Sequence, residues 1–239
     1  MNELALFAGA GGGILGGKLL GWRTVCAVEI NEYCQRILMQ RQDDGILEPF
    51  PIWPDIRTFD GKPWAGCVDI VTGGFPCQAF STASAGNQSA ADLWPEMLRI
   101  IAEISPRFVF AENVSRSAIH VAAGDLEQGG YKTKVLPLGA SDLGGDHVRK
   151  RYWLFAYSDD EGQLLREQYA EMAISAFLSH RVWESFCDES GMDDGVANRV
   201  ERYKAIGNGQ IPVVAATAFL QLALASMGVV IPANKREVA

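Results

Sequence analysis

The segment from Leu4 to Gly17 constrains this chain more than any other. An apolar run, Leu4 to Ala8, passes directly into FAGAGGGILGG, Phe7 to Gly17. Such a run reads as a strand entering a tight glycine turn and then a helix N-terminus. Glycine supplies the unusual backbone angles of the turn, and the absence of side chains lets a ligand approach the backbone closely.

The same alternation continues along the chain. Val25 to Val28, Val68 to Thr72, Arg107 to Ala111, Tyr131 to Leu138 and Tyr152 to Tyr157 read as further strands. Gly13 to Leu20, Asn31 to Arg41, Leu93 to Ile104 and Arg116 to Gly129 read as helices, the third with Asp92 near its start and Pro106 just past its end. Strands alternating with helices imply an α/β fold with a mostly parallel sheet covered on both faces. The two last strands, close in sequence, suggest a hairpin-like pair added to that sheet. From Asp159 to Asn198 strand periodicity is lost, with a candidate helix near Leu164 to Leu178, and this stretch reads as a small insert. Pro212 to Met227 is an alanine-rich apolar helix suited to packing back onto the sheet.

With 239 residues, 48% of them hydrophobic, the chain can bury one full core, and a disordered chain is not expected. No basic leader precedes the first apolar run and no apolar run reaches the length of a membrane span, so the expectation is a soluble, cytoplasmic protein. The cysteines, Cys26, Cys34, Cys67, Cys77 and Cys187, are odd in number and form no CxxC pair, so neither a disulfide framework nor a metal site is expected. A net charge of −8 argues, taken alone, against a nucleic-acid partner. A local basic cleft is enough for an enzyme, however, and Arg149, Lys150 and Arg151, then Arg199, Arg202 and Lys204, supply two basic clusters.

One strand after the glycine turn stands Glu29, where a carboxylate can accept hydrogen bonds from both hydroxyls of a ribose. Turn plus acid describes a nucleoside-cofactor site without choosing the cofactor. Gly11, Gly13 and Gly16 fit GxGxxG, which keeps a nicotinamide or flavin enzyme open.

Val68 to Thr72 runs into GGFPCQAFS, placing Cys77 on a loop at the carboxyl end of a central strand, the edge where open α/β sheets bind ligands. A lone cysteine is usually a packed small hydrophobe. Gly73, Gly74 and Pro76 fix a turn that presents this thiol instead.

With these segments the chain resembles the cytosine-C5 DNA methyltransferase family, whose signature is a PCQ loop. Phe7 to Gly12 (Phe7, Ala8, Gly9, Ala10, Gly11, Gly12) resembles its cofactor loop, Glu29 with Ile30 its ribose-binding acid, and Asp55 with Ile56 in PDIRT its adenine contact. Glu112 to Val114 (ENV) resembles the acid motif, His147 to Arg151 (HVRKR) the arginine motif, and Gly207 to Pro212 (GNGQIP) the C-terminal motif. The segments occur in the family order. Ala5 stands where the family usually carries Asp, and His147 where it usually carries Gln.

The resemblance implies a Rossmann-like S-adenosylmethionine-dependent methyltransferase fold. Residues 1–158 would form the catalytic and cofactor-binding domain, 159–198 a short target-recognition insert, and 199–239 a segment returning to the catalytic domain. It implies S-adenosylmethionine as cofactor, held by Phe7 to Gly12, Glu29, Ile30, Asp55, Ile56, Gly74, Pro76 and Asn208, and no metal. The substrate would be duplex DNA with the target cytosine flipped out. The protein is expected to be a monomer, with a helper for target recognition left open by the short insert.

The chemistry needs these residue types. Cytosine C5 is a poor nucleophile until a soft anion adds at C6, a task for the Cys77 thiolate. Charge then builds toward N3, where Glu112 can donate a hydrogen bond or proton. Arg149 and Arg151, two apart and leading into a strand, should face one side and contact cytosine O2, the thiolate or a phosphate. Residues Ala79 to Asp92 read as a loop that closes over the base. Arg166, Arg181, Arg199 and Arg202 are DNA-contact candidates from charge. Two alternatives remain at this stage: a transfer-RNA cytosine as substrate, against which Phe75 before PCQ argues, and an inactive cofactor- and DNA-binding relative.

Overall fold

A computed structural model describes residues 1–76, 92–145, 148–158, 205, 207 and 209–228. Its strands are β1 (Asn2–Leu6), β2 (Arg23–Val28), β3 (Ile52–Trp53), β4 (Ile70–Gly74), β5 (Phe108–Asn113), β6 (Lys132–Leu138) and β7 (Arg151–Tyr157). They form one sheet of order β3-β2-β1-β4-β5-β7-β6. Pairing is parallel from β3 through β5, while β7 runs antiparallel to both β5 and β6. The expected parallel sheet and its added pair are therefore both present, with β7 inserted between β5 and β6.

The helices are α1 (Gly12–Leu19), α2 (Glu32–Asp43), α3 (Trp94–Ile104), α4 (Arg116–Gln128) and α5 (Pro212–Ser226). Local signals set their ends. Asn31 caps α2 through its Oδ1, which accepts from Cys34 N at 3.1 Å, and Ser115 Oγ accepts from Ala118 N to cap α4. Pro95 enters the first turn of α3, and Ser105, at φ 50°, closes it just before Pro106.

Alternation along the strands divides the core. Leu4 and Leu6 of β1, Val109 and Ala111 of β5, and Leu154 and Ala156 of β7 face α3 and α4. Phe108, Phe110, Trp153 and Phe155 face the opposite way and pack on Phe219 of α5, while Ala5 and Ala27 meet Ile14 of α1 and Leu38 of α2. Helix α5 is apolar on nearly every side because it is sandwiched between α1 and the β6–β7 side of the sheet. Its approach to α1 is so close that a Cβ on Gly16 would lie 2.9 Å from Pro212 O.

Three short 3-10 helices and β3 escape sequence periodicity, being only two or three residues long. The insert, the candidate helix at 164–178 and the arginines at 166, 181, 199 and 202 lie outside the described residues. Among the described residues no helix is long and apolar enough to cross a membrane.

Candidate active site

The glycine turn leaves β1 at Leu6 through left-handed backbone at Phe7, Gly9 and Gly11 (φ 51°, 55° and 88°). A non-glycine residue in this region is strained, so Phe7 is held there by its surroundings. Ala8 N donates to Val28 O, and Gly11 N to Ala8 O, which folds the turn back over the end of β2. Gly11 caps α1 without a side-chain bond. The segment 209–211 lies across the helix start, since a Cβ on Gly12 would collide with Gln210 O.

Glu29 follows the last residue of β2 and is buried. Its Oε2 accepts from Gly9 N at 2.6 Å and its Oε1 from Asn31 N at 2.7 Å. The carboxylate therefore braces the glycine turn while retaining lone pairs for further donors. Ile30, beside it, is 62% exposed. Glu29 N in turn donates to Trp53 O, joining β2 to β3 and the segment after it.

Asp55 caps the 3-10 helix Ile56–Thr58 and pairs with Arg57, whose Nη2 lies 2.7 Å from its Oδ2. The hydrogen bonds from Arg57 hold the Asp55 carboxyl below its usual range. The Ile56 side chain is buried in the core, so only its backbone can meet a ligand.

Strand β4 ends at Gly74, directly opposite Glu112 of β5. A Cβ at Gly74 would lie 2.9 Å from Glu112 Oε2, which makes glycine necessary for the acid to sit there. Phe75 is buried against Trp94, and its carbonyl accepts from Asn113 Nδ2 at 2.8 Å. These contacts anchor the chain up to Pro76. Cys77 and the loop through residue 91 lie outside the described residues, as do His147 and Asn208.

Glu112 is buried, and Arg151 pairs with it, Nε lying 2.9 Å from its Oε1. Burial pushes its pKa up, against the lowering influence of Arg151, Gln210 and Arg149. A carboxyl so buried keeps its proton to higher pH than an ordinary carboxylate.

Arg149 and Arg151 both act electrostatically on Glu112, in keeping with a shared side, yet their contacts differ. Arg149 Nη2 donates to Gly207 O at 2.6 Å and also to Gly209 O, so it braces the C-terminal segment.

Sequence reasoning missed Gln210. It reaches toward Glu112, Nε2 to Oε2 at 3.4 Å, and its Oε1 would lie 2.5 Å from a Cβ on Gly13. It thus bridges the glycine turn and the buried acid, and the signal available was its place inside the C-terminal motif.

A cleft of about 400 Å³ runs between these groups, lined by Phe7, Gly9, Thr72, Gly74, Glu112 and Gln210 among others. One end is the glycine-rich turn with the buried Glu29 behind it, and the other is a buried carboxyl with two guanidinium neighbours. Among the described residues no three His, Cys, Asp or Glu side chains cluster as a metal site would.

An α/β sheet of this order carries these groups together at its carboxyl edge. The chain belongs to the C-5 cytosine-specific DNA methylase family, whose profile matches residues 1–191. It is 36% identical over 116 residues to the type II methyltransferase M.NgoMIV of Neisseria gonorrhoeae, covering 47% of this chain and 35% of that one. With M1.HphI of Haemophilus parahaemolyticus it shares 31% over 182 residues, 69% of this chain and 47% of the relative. The chain thus spans a third to a half of the length of these relatives. A prophage-encoded E. coli protein classed as a DNA modification methyltransferase superposes with TM-score 0.52 and 26% identity, over 66% of this chain and 47% of that one. Spodoptera frugiperda DNMT2, at 20% identity and TM-score 0.53 over 66% of this chain and 50% of its own, shares the fold.

Proposed function

We propose that this protein methylates carbon 5 of cytosine in DNA. The observation that carries this reading is Glu112: a buried carboxyl paired with Arg151, facing Gly74 at the start of the PCQ turn and sharing one cleft with the glycine turn.

The residues fit S-adenosylmethionine. The backbone at Gly9 is open to a ligand, with nothing near where a Cβ would stand, Glu29 is braced for ribose hydroxyls, and Ile30 offers an exposed apolar surface. Asp55 and the Ile56 backbone stand on the segment beside Glu29, and Asn208 is assigned to the same cofactor from its place in the C-terminal motif. When bound, that cofactor supplies an electrophilic methyl group.

Cys77, three residues beyond Gly74, is the nucleophile that adds to cytosine C6. Glu112 donates a proton or hydrogen bond at N3 as charge builds there, which lowers the barrier to addition. Arg151 keeps Glu112 oriented, and Arg149 fixes the segment carrying Gln210. Loss of the C5 proton then expels Cys77 and restores the ring. The cytosine must leave the DNA stack to reach the cleft, at a cost of a few kcal/mol.

Residues 159–198 serve as the short target-recognition insert between the catalytic domain and the returning segment. The enzyme acts as a monomer in the cytoplasm of a bacterium or on behalf of a phage, with a second protein assisting recognition where the short insert is insufficient. The test is mass spectrometry of nucleosides from mixed-sequence DNA incubated with the protein and S-adenosylmethionine. New 5-methyldeoxycytidine supports the reading; its absence from DNA with appearance of 5-methylcytidine in transfer RNA moves the substrate to RNA.

A further inference from the structure

Arg99 of α3 lies outside the cleft and has no part in the chemistry above, yet each nitrogen of its guanidinium is engaged. Nη2 donates to Ile56 O at 2.9 Å and Nη1 to Phe59 O at 3.1 Å, so one planar fork grips the short turn that begins at Asp55. Nε donates to Glu96 Oε2 at 2.9 Å, and Nη1 also donates to Glu103 Oε1 at 2.8 Å. Glu103 continues the grip, its Oε2 accepting from Gly61 N at 2.8 Å. The approach is close enough that a Cβ on Gly61 would lie 2.9 Å from that same oxygen.

Ion pairs along one helix face contribute little by themselves. This network differs because the cation is spent on carbonyl oxygens of a segment about forty residues away in sequence. Two carboxylates balance its charge and aim it. A planar guanidinium suits this geometry, whereas a lysine ammonium cannot reach both carbonyls with fixed direction. At its other end the same segment is tied to the sheet, because Glu29 N donates to Trp53 O at 2.9 Å. Asp55 therefore stands between two anchors, the Glu29 side of the cleft and Arg99 on α3.

We propose that Arg99 is a positioning residue for the adenosine end of the cofactor, fixing the turn Asp55 to Phe59 beside Glu29. This rests on the S-adenosylmethionine reading of the cleft.

The test is calorimetric binding of S-adenosylhomocysteine and of methylthioadenosine, which lacks the amino-acid end, to the full chain carrying no change, R99Q or R99K. Expected is a Kd raised about tenfold in R99Q, by the same factor for both ligands, with kcat at saturating cofactor near wild type. R99K retains the charge between Glu96 and Glu103 but loses the fork, and should fall between the two. If R99Q does not fold, R99K alone decides. Folded variants with a lowered Tm and wild-type Kd for both ligands, or with reduced kcat at unchanged KM for cofactor, would overturn the proposal. A wild-type chain that binds neither ligand would instead remove the cofactor reading, and this proposal with it.

Discussion

Arg151 Nε stands 2.9 Å from Glu112 Oε1, with both side chains largely withdrawn from water. The cation lowers the Glu112 pKa, yet burial still carries it above the usual carboxylate range. Removing Arg151 should therefore move it further up and free the acid to turn. For R151Q, turnover is expected to fall by about 10²-fold or more with cofactor affinity unchanged. Because the protonated acid is the active form, the rate falls as pH rises through the Glu112 pKa, and that limb should shift to higher pH in R151Q. Methyl incorporation across a pH series measures both; a variant as fast as wild type contradicts the role.

Glu29 braces the glycine turn in addition to its proposed place at the cofactor ribose. Replacing it by alanine strands Gly9 N–H and Asn31 N–H, each of which now bonds a carboxylate oxygen. Charge-assisted bonds of this kind contribute about 1.5–3 kcal/mol, so affinity for S-adenosylhomocysteine should weaken by about tenfold or more. An unchanged dissociation constant by calorimetry would remove Glu29 from the binding site.

Gly12 is crossed by the backbone of Gln210. A methyl group placed there collides with Gln210 O, and a backbone oxygen cannot swing aside as a side chain can. Gly12→Ala should destabilise the fold by about 1–3 kcal/mol and lower Tm by several degrees. An unaltered melting curve would mean that the segment 209–211 does not lie over α1.

Glu3 is a buried acid the sequence reading overlooked. Burial raises its pKa to about 7, although hydroxyls of Thr24 and Thr72 each donate to it at 2.7 Å. Its folded pKa thus exceeds its unfolded value of 4.5, so the folded state binds the proton more tightly. The stability this gives is complete below pH 4.5 and is lost as pH rises through about 7, a change of roughly 3 kcal/mol. Glu3→Gln should flatten that dependence and melt higher than wild type at pH 8. Parallel Tm profiles for the two proteins would contradict the assignment.

The frame of the molecule was legible because its signals are local. Among the described residues the glycine turn, the longer helices and the strands with continuous apolar runs lie where periodicity puts them, to within two residues at most ends. Glu29 and Glu112 were legible because an acid just past a strand is placed by that strand; Glu112 proved to lie within β5 itself. What stayed hidden depends on partners remote in sequence. Glu3, between Asn2 and Leu4 on the short β1, looks like a surface residue until β2 and β4 close over it. Gln210 reads as one letter of a motif until the chain crosses α1. Arg99 reads as one member of a helix-surface charge pattern, because the carbonyls it grips belong to a turn without periodicity.

The most direct test of the central claim uses a duplex in which 5-fluorodeoxycytidine replaces the target cytosine. Release of Cys77 requires loss of the hydrogen at C5 as a proton, and fluorine cannot leave as a cation, so the enzyme should remain attached after methyl transfer. The account predicts a denaturant-stable protein–DNA adduct that needs S-adenosylmethionine, maps to Cys77 by peptide mass spectrometry and is absent from Cys77→Ser. An adduct on another residue, or none from a protein that does methylate unmodified DNA, would contradict it.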